Sequence, residues 1–394
     1  MLRQIPVLTA MSLRDIPRRL GNSLVIVVGI AGVVIVLIPV LAMYLGFRAT
    51  LQGDGRADRA IVLSRDATSE DGSNLSRDAV ADIVHAAGVR RDARGTPIAS
   101  AEVVLAAPVS RLRDHSDVNV TLRGVGPQYF ALRPELKLVA GRMLRTGTQE
   151  LLVGAAAQSQ FAGVQLGDRV RLPEGDWTVV GVFAGGKGGR ESELVADAQT
   201  LMAAFRMDAF NSLVVALDSP QAITSLRDAV AQDERLTVTI SSEPQYLTTA
   251  SDPVNHMLRL VTYAIGSIMA LGAVFAALNS MYSSVVKRAT EMATVRAIGF
   301  SGSAIAVAVL IEALLLALLG AAIGVAISYS AFNGVTISTL GGAVYDSQLV
   351  YSLIIAPRLV LGAVALACLL GLAGGLLPAI RAARANIPTL LHES

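Results

Sequence analysis

Four stretches of this chain are apolar for longer than a globular core requires. Gly21–Phe47, Leu260–Val286 and Leu359–Ile380 carry no charged side chain, and Ile305–Tyr329 carries one, Glu312. A helix needs about 20 apolar residues to cross roughly 30 Å of hydrocarbon. Each stretch meets that length, so the expected fold is a membrane α-helical protein with four transmembrane helices, at 21–47, 257–286, 305–329 and 358–380. The first is too long for the apolar region of a secretory signal, and no small-residue cleavage site follows it, so it reads as an uncleaved anchor.

The basic residues orient the spans. Arg3, Arg14, Arg18 and Arg19 precede the first, Lys287, Arg288 and Arg296 lie between the second and third, and Arg381 and Arg384 follow the fourth. Only Asp15, Glu291 and Glu393 oppose them. Basic residues near span ends stay in the cytoplasm. Residues 1–20, 287–304 and 381–394 are therefore expected inside, as an amphipathic segment, a helix with its loop, and a tail. Residues 48–256 and the loop 330–357 are then outside. Pro6 and Pro17 argue against one unbroken helix in the first segment.

The outer domain reads as α+β. RAIVLS (Arg59–Ser64), SRDAVADIVHAA (Ser76–Ala87) and AEVVLAAPV (Ala101–Val109) have strand, helix and strand periods. SLVVALD (Ser212–Asp218), SPQAITSLRDAVAQ (Ser219–Gln232) and LTVTISS (Leu236–Ser242) repeat that order, with Ser219 as the expected cap. A split β-α-β subdomain is predicted, holding a mainly β insert at about 119–210. Trp177 in the insert reads as a packing residue. The insert also contains Gly181, Gly186 and Lys187 at phosphate-loop spacing after the strand-like WTVVGVF. The next residues are Gly188, Gly189, Arg190 and Glu191, with neither the Ser or Thr that ligates Mg²⁺ nor an apolar helix. A Gly-rich turn is the expected structure. ATP hydrolysis, if it drives this chain, then belongs to another polypeptide.

No catalytic nucleophile and base can be assembled from the sequence. His85, His115, His256 and His392 are dispersed, so no metal site is expected. Cys368, the single cysteine, lies in the fourth span and rules out an intrachain disulfide. The basic residues follow the membrane topology, and no nucleic-acid surface is expected.

The segment NSMYSSVVKRATEMATVRAIGFSGSAI (Asn279–Ile305), followed by IEALLLALLGAAIGVAIS, resembles the MacB and FtsX-like ABC transporter permeases. So do the closing LPAIRAARANIPTLL (Leu377–Leu391), with Pro378, Ala382, Ala383 and Pro388, and in the outer domain RGVGPQYF (Arg123–Phe130), Gly141-Arg142, VQLGDRVRL and WTVVGVF. Where that family often has Glu-Ile-Gly, this chain has Glu291-Met292-Ala293. The resemblance implies a mechanotransmitting permease without a fused ATPase. It would work as a dimer, homomeric or of related chains, in a bacterial inner membrane, with two copies of a cytoplasmic ATPase subunit that binds ATP and Mg²⁺. An adaptor protein and an outer-membrane channel are the further partners expected for export. The same wider group includes scaffolds that activate a cell-wall hydrolase and permeases that release lipoproteins, which are the alternatives to efflux.

Several residues are singled out. Lys287, Arg288, Glu291 and Arg296, with Gly299 as helix stop, are expected to form a coupling helix that docks on the ATPase. A charged residue at a span centre costs about 2.5–3.5 kcal/mol, which makes Glu312 a functional candidate. It is expected to meet Asn279, with Ser280 nearby, in an interhelical hydrogen bond. A proton relay is the sharper alternative, but no second intramembrane titratable group accompanies it. Gly320 and Gly324, and Gly371 and Gly375, have the spacing that lets helices approach closely, within one chain or between two.

Overall fold

The computed structural model describes residues 20–53, 55–185, 189–338 and 350–384. The segment 1–19, Gly186, Lys187 and Gly188 of the Gly-rich turn, and the end of the tail with Pro388 lie outside the described residues. The chain divides into two units, one holding residues 1–45, 258–335 and 353–394, the other 46–257 and 336–352.

In chain order the helices are α1 (Leu20–Gly53), α2 (Arg77–Val84), α3 (Tyr129–Leu132), α4 (Ala155–Gln160), α5 (Ala198–Ala204), α6 (Ala222–Ala231), α7 (Glu243–Lys287), α8 (Ala289–Ala297), α9 (Gly302–Phe332) and α10 (Pro357–Arg384). The strands of the outer unit are β1 (Arg59–Ser64), β2 (Ala99–Ser110), β3 (Asp117–Val125), β4 (Lys137–Gly141), β5 (Glu150–Gly154), β6 (Arg169–Leu172), β7 (Gly175–Ala184), β8 (Leu194–Asp197), β9 (Ser212–Ala216) and β10 (Val238–Ser242). A short ribbon, β11 (Thr336–Ser338) with β12 (Val350–Ser352), belongs to the same unit.

The ten strands form one mixed sheet in the order β10-β1-β9-β2-β3-β8-β5-β7-β4, with β6 on β7. The two β-α-β segments lie side by side as β10-β1-β9-β2. The residues between them continue the same sheet from β3 onward. The long strand β2 makes this possible: Ala99–Glu102 pair with β9, and Val103–Ser110 pair with β3. One hydrogen-bonded sheet thus runs through both regions.

Both faces of this sheet are covered, which explains why β1 reads as a nearly continuous apolar run. Ala60 and Val62 lie on one side in an apolar cluster with Ile83 of α2 and Leu226 and Val230 of α6, a cluster that continues along the sheet as far as Trp177 of β7. Ile61 and Leu63 point the other way, to Leu132, Tyr246 and Ala250. Ser76 caps α2, its hydroxyl accepting from the Ala79 amide at 3.1 Å. The expected Ser219 cap is not formed: α6 starts after Gln221, which makes no side-chain cap bond. Instead the Ser219 carbonyl accepts from the Ala222 amide in a preceding turn.

In the other unit, four helical stretches are long and apolar enough to cross a membrane: Ser23–Phe47, Arg259–Lys287, Gly302–Phe332 and Pro357–Arg384. The stretch on α9 is the most enclosed and that on α7 the least, with 56% and 17% of the residues in their most apolar windows buried. The glycines make α9 the hub. A Cβ on Gly320 would stand 2.7 Å from the Val27 carbonyl oxygen, and one on Gly324 would stand 2.7 Å from the Val34 Cβ, so both glycines seat α1. Gly371 and Gly375 of α10 meet Ala317 and Ala313 of α9 in the same way. Both pairs therefore serve packing within one chain.

Gly324→Leu or Gly371→Leu is expected to destabilise the chain by about 1–3 kcal/mol, because overpacking forces the helices apart. Gly272 and Gly362 have no atom of this chain near the position of a Cβ. Leu at either should leave thermal stability in detergent, followed by size-exclusion chromatography, unchanged.

Candidate functional site

A set of buried charged residues of the outer unit gathers on one face of the sheet. Side chains alternate along a strand, so Arg59 shares a face with Ile61 and Leu63, Ser212 with Val214, and Arg123 with Val125. Apolar clusters lie on either side, and the space between them is filled by charges. Arg123 is 3% exposed and donates to Glu193 at 2.8 Å, to Glu102 at 2.9 Å and to Glu70 at 3.0 Å. Glu102, fully buried, also accepts from Arg133 at 3.2 Å. Arg133 stacks over the Tyr129 ring with its guanidinium carbon 4.5 Å from the centroid, and Arg190 lies 3.6 Å from Glu102 and from Glu193.

The cluster ends on Glu243, the first residue of α7. Its carboxylate meets Arg59 Nε at 2.8 Å and Arg133 Nη2 at 3.5 Å, and accepts from the backbone amide of Arg56 at 3.1 Å. Arg56 follows α1 by three residues. One buried carboxylate therefore holds the chain just after α1 against the start of α7. Gly55 lies tightly there, with Pro244 and Leu247 close to where its Cβ would be.

Burial pushes the Glu70 carboxyl up, but the charges of Arg123 and Arg190, with hydrogen bonds from Arg123 and Ser212, outweigh it and hold the group below its ordinary value of 4.5. Burial opposes the charge on Arg123 as well, and Glu193, Glu70 and Glu102 overcome it, leaving that guanidinium well above its ordinary value. Burial pushes the Tyr129 hydroxyl up to about 12. The sequence signal for this cluster is a charge set in a strand whose neighbours are apolar on both faces, as in RAIVLS, ASAEVVLAAPVS and TLRGV. In the sequence Arg123 stands out only as part of a motif, and Arg59, Glu70, Glu102, Arg133, Glu193 and Glu243 are not singled out.

The loop between the second and third membrane-length helices has its own geometry. α7 stops at Lys287 and Arg288 precedes α8. α8 ends in a Schellman motif: the Gly299 amide donates to the Arg296 carbonyl at 3.0 Å and the Phe300 amide to the Val295 carbonyl at 3.3 Å, with Gly299 at φ 103°. Ser301 then caps α9. Lys287, Glu291 and Gly299 are exposed and Arg296 is half-buried, while Ile298, not singled out from the sequence, is 74% exposed at the helix end.

Two expectations need correction here. Arg288 is not an exposed docking charge; it is 5% exposed, and its Nη1 donates to Glu312 Oε2 at 3.2 Å. Glu312 therefore pairs with Arg288 and not with Asn279. A long guanidinium at the end of α7 reaches an acid inside α9 and neutralises it, which an amide cannot do. Asn279 instead lines a groove between α7 and α10. The 3₁₀ turn Gly189–Ser192 and strand β8 follow the Gly-rich segment, so no helix N-terminus is available there for phosphate. Arg190 of that segment belongs to the buried cluster.

Arg123→Ala would leave three buried carboxylates short of a partner and should cost about 3–5 kcal/mol. Trp177, the only tryptophan and fully buried, reports outer-unit unfolding in the whole chain. Because the folded Glu70 pKa lies below the unfolded one, its contribution is complete above about pH 4.5 and is lost as pH falls toward the folded value. The urea midpoint of Trp177 emission should fall below that pH, and Glu70→Gln should lower the midpoint at pH 7 and flatten the acid limb.

Residues 20–233 match the family model of the MacB-like periplasmic core domain, more than half of the chain, and residues 263–387 match that of the FtsX-like permease C-terminal region. No curated protein matches. Among solved structures, the periplasmic region of MacB from Actinobacillus actinomycetemcomitans is 17% identical, covering 49% of this chain and 92% of its own, with a TM-score of 0.38. The extracellular domain of the noncanonic ABC-type transporter YknZ from Gram-positive bacteria is 14% identical, covering 46% and 99%, with a TM-score of 0.36. With a periplasmic core model on the segment that holds the buried charge cluster apart from Glu243 and a permease model on the segment that holds α8 and the last two membrane-length helices, the chain belongs to the MacB/FtsX-like family of ABC permeases.

Proposed function

We propose that this chain is the membrane subunit of an ABC exporter, in which a separate ATPase pushes on α8 and the outer domain moves in response. The geometry of the loop carries this reading. α8 is a short helix with a defined stop, Lys287 just before it, Glu291 within it and Ile298 at its end are exposed, and buried Arg288 ties its start to Glu312 of α9. A force on α8 would reach α9 through that ion pair. At the far side of the membrane, the Glu243 junction would keep the chain segments that leave α1 and enter α7 from moving independently.

In this reading the amino- and carboxyl-terminal segments and α8 are cytoplasmic, and the sheet domain is periplasmic. Two copies of the chain bind two ATPase subunits, which hold ATP and Mg²⁺. The outer domains drive a periplasmic substrate toward an adaptor and an outer-membrane channel. The matches to the MacB-like periplasmic core and FtsX-like permease models support the permease class of this reading, with hydrolase activation and lipoprotein release as its alternatives.

Ile298→Asp, or Lys287→Glu with Arg296→Glu, should weaken ATPase association about tenfold or more, the scale of losing a central interface anchor. The Trp177 unfolding midpoint should not change. Arg288→Ala and Glu312→Ala should each destabilise the membrane unit, while Arg288→Met with Glu312→Leu should restore folding without restoring ATPase stimulation. Intact stimulation after the surface substitutions would mean that the ATPase docks elsewhere.

A further inference from the structure

α7 and α10 run in the same direction and touch where Gly374 of α10 meets the Ala277 side chain. Five residues along α7 and seven along α10, the Arg381 guanidinium lies over the Tyr282 ring at 4.9 Å from its centroid. The surface between these helices is an open groove of about 800 Å³. Its walls are apolar and uncovered: Phe275 is 68% exposed, Leu377 64% and Ile380 39%. Arg381 and Arg384 stand at one end, and neither forms a salt bridge among the described residues.

From this arrangement we propose that the groove binds an anionic phospholipid, with its phosphate on Arg381 and Arg384 and its acyl chains along Phe275 and Leu377. The stack on Tyr282 occupies the face of the Arg381 guanidinium and leaves its edge N–H donors in plane, the geometry that takes a phosphate bidentately. Asn279, whose amide has no hydrogen-bond partner among the described residues, lies between the basic end and the apolar walls, where a glycerol ester carbonyl would sit. Phe275 precedes Tyr282 by seven residues, about 10 Å of helical rise, so the apolar floor continues from the headgroup into the depth of the acyl chains. Basic pockets between helices at the cytoplasmic side of a membrane recognise anionic headgroups. That placement rests on the proposed topology; the chemistry of the groove does not. A second copy seated here about a two-fold axis would set Arg381 and Arg384 against the same pair, like against like.

The test is native mass spectrometry of the full chain in mild detergent, titrated with phosphatidylglycerol or phosphatidylcholine of the same acyl chains. Wild type should retain phosphatidylglycerol preferentially. Arg381→Gln and Arg384→Gln should each weaken retention about fivefold, the effect of one basic side chain near a lipid surface. Leu377→Trp, which fills the apolar wall and keeps both arginines, should weaken it as well, with an unchanged size-exclusion profile as the folding control. Equal retention by wild type and the arginine variants, or equal retention of the two lipids, overturns the proposal. Displacement by excess inorganic phosphate would assign the arginines to a soluble anion instead. An interchain disulfide formed by Leu377→Cys in high yield, and not diminished by phosphatidylglycerol, would assign the groove to a second copy. In a separate arm, labelling of Arg384→Cys by an impermeant maleimide in intact cells would refute the topology while leaving the lipid titration to judge the groove.

Discussion

The carboxylate of Glu243 is the point on which the buried charges of the outer unit close against the first turn of α7. It is 2% exposed, and two guanidiniums and one backbone amide satisfy it. Removing two charges from water costs several kcal/mol per ion, recovered only when geometry and further hydrogen bonds are good. A hydrophobic contact at this place would give comparable stability. What the ionic arrangement adds is direction: Arg59 comes from β1, Arg133 from the end of α3, the amide from the segment after α1, and Glu243 itself from α7. Three separate pieces of chain converge on the oxygen pair of a fourth, and through Arg133 and Glu102 the same cluster continues to Arg123 in β3. Within the outer unit, the sheet, the segment after α1 and the start of α7 are thus joined by bonds that specify a geometry.

The membrane unit uses a different economy. Apolar helices in lipid gain little from hiding apolar surface, so close approach of backbones and a few polar contacts decide their packing. Gly320, Gly324, Gly371 and Gly375 supply the close approach around α9. Arg288 and Glu312 supply the polar contact, placing an acid inside a span without leaving a bare charge. The same ion pair that makes Glu312 tolerable fixes the start of α8, so in the proposed mechanism stability and coupling would share one interaction.

The membrane-length helices, the strand and helix periods of RAIVLS and SLVVALD, and the Schellman stop at Gly299 are features that local patterns encode, and they are legible in the sequence. The long-range pairings are not. Nothing in the spacing of Glu312 distinguishes Asn279 from Arg288 as its partner, because the answer depends on how α7 ends and how far a guanidinium reaches back. The buried charges were hidden for a related reason: Arg59, Glu102 and Arg123 lie in separate strands, and only the order β1-β9-β2-β3 brings them together. Ile298 escaped notice because an isoleucine beside a helix stop reads as a packing residue until its exposure is seen.

In the proposed mechanism, ATP binding in the cytoplasm moves the outer domain. Arg171 projects from the sheet domain with its side chain 89% exposed, a position suited to a spin label. Pulsed electron–electron distance measurements between Arg171→Cys labels on two copies, in the complex with the ATPase, should give one distribution without nucleotide and a shifted one with trapped ATP. Superimposable distributions in a complex that hydrolyses ATP would contradict the account.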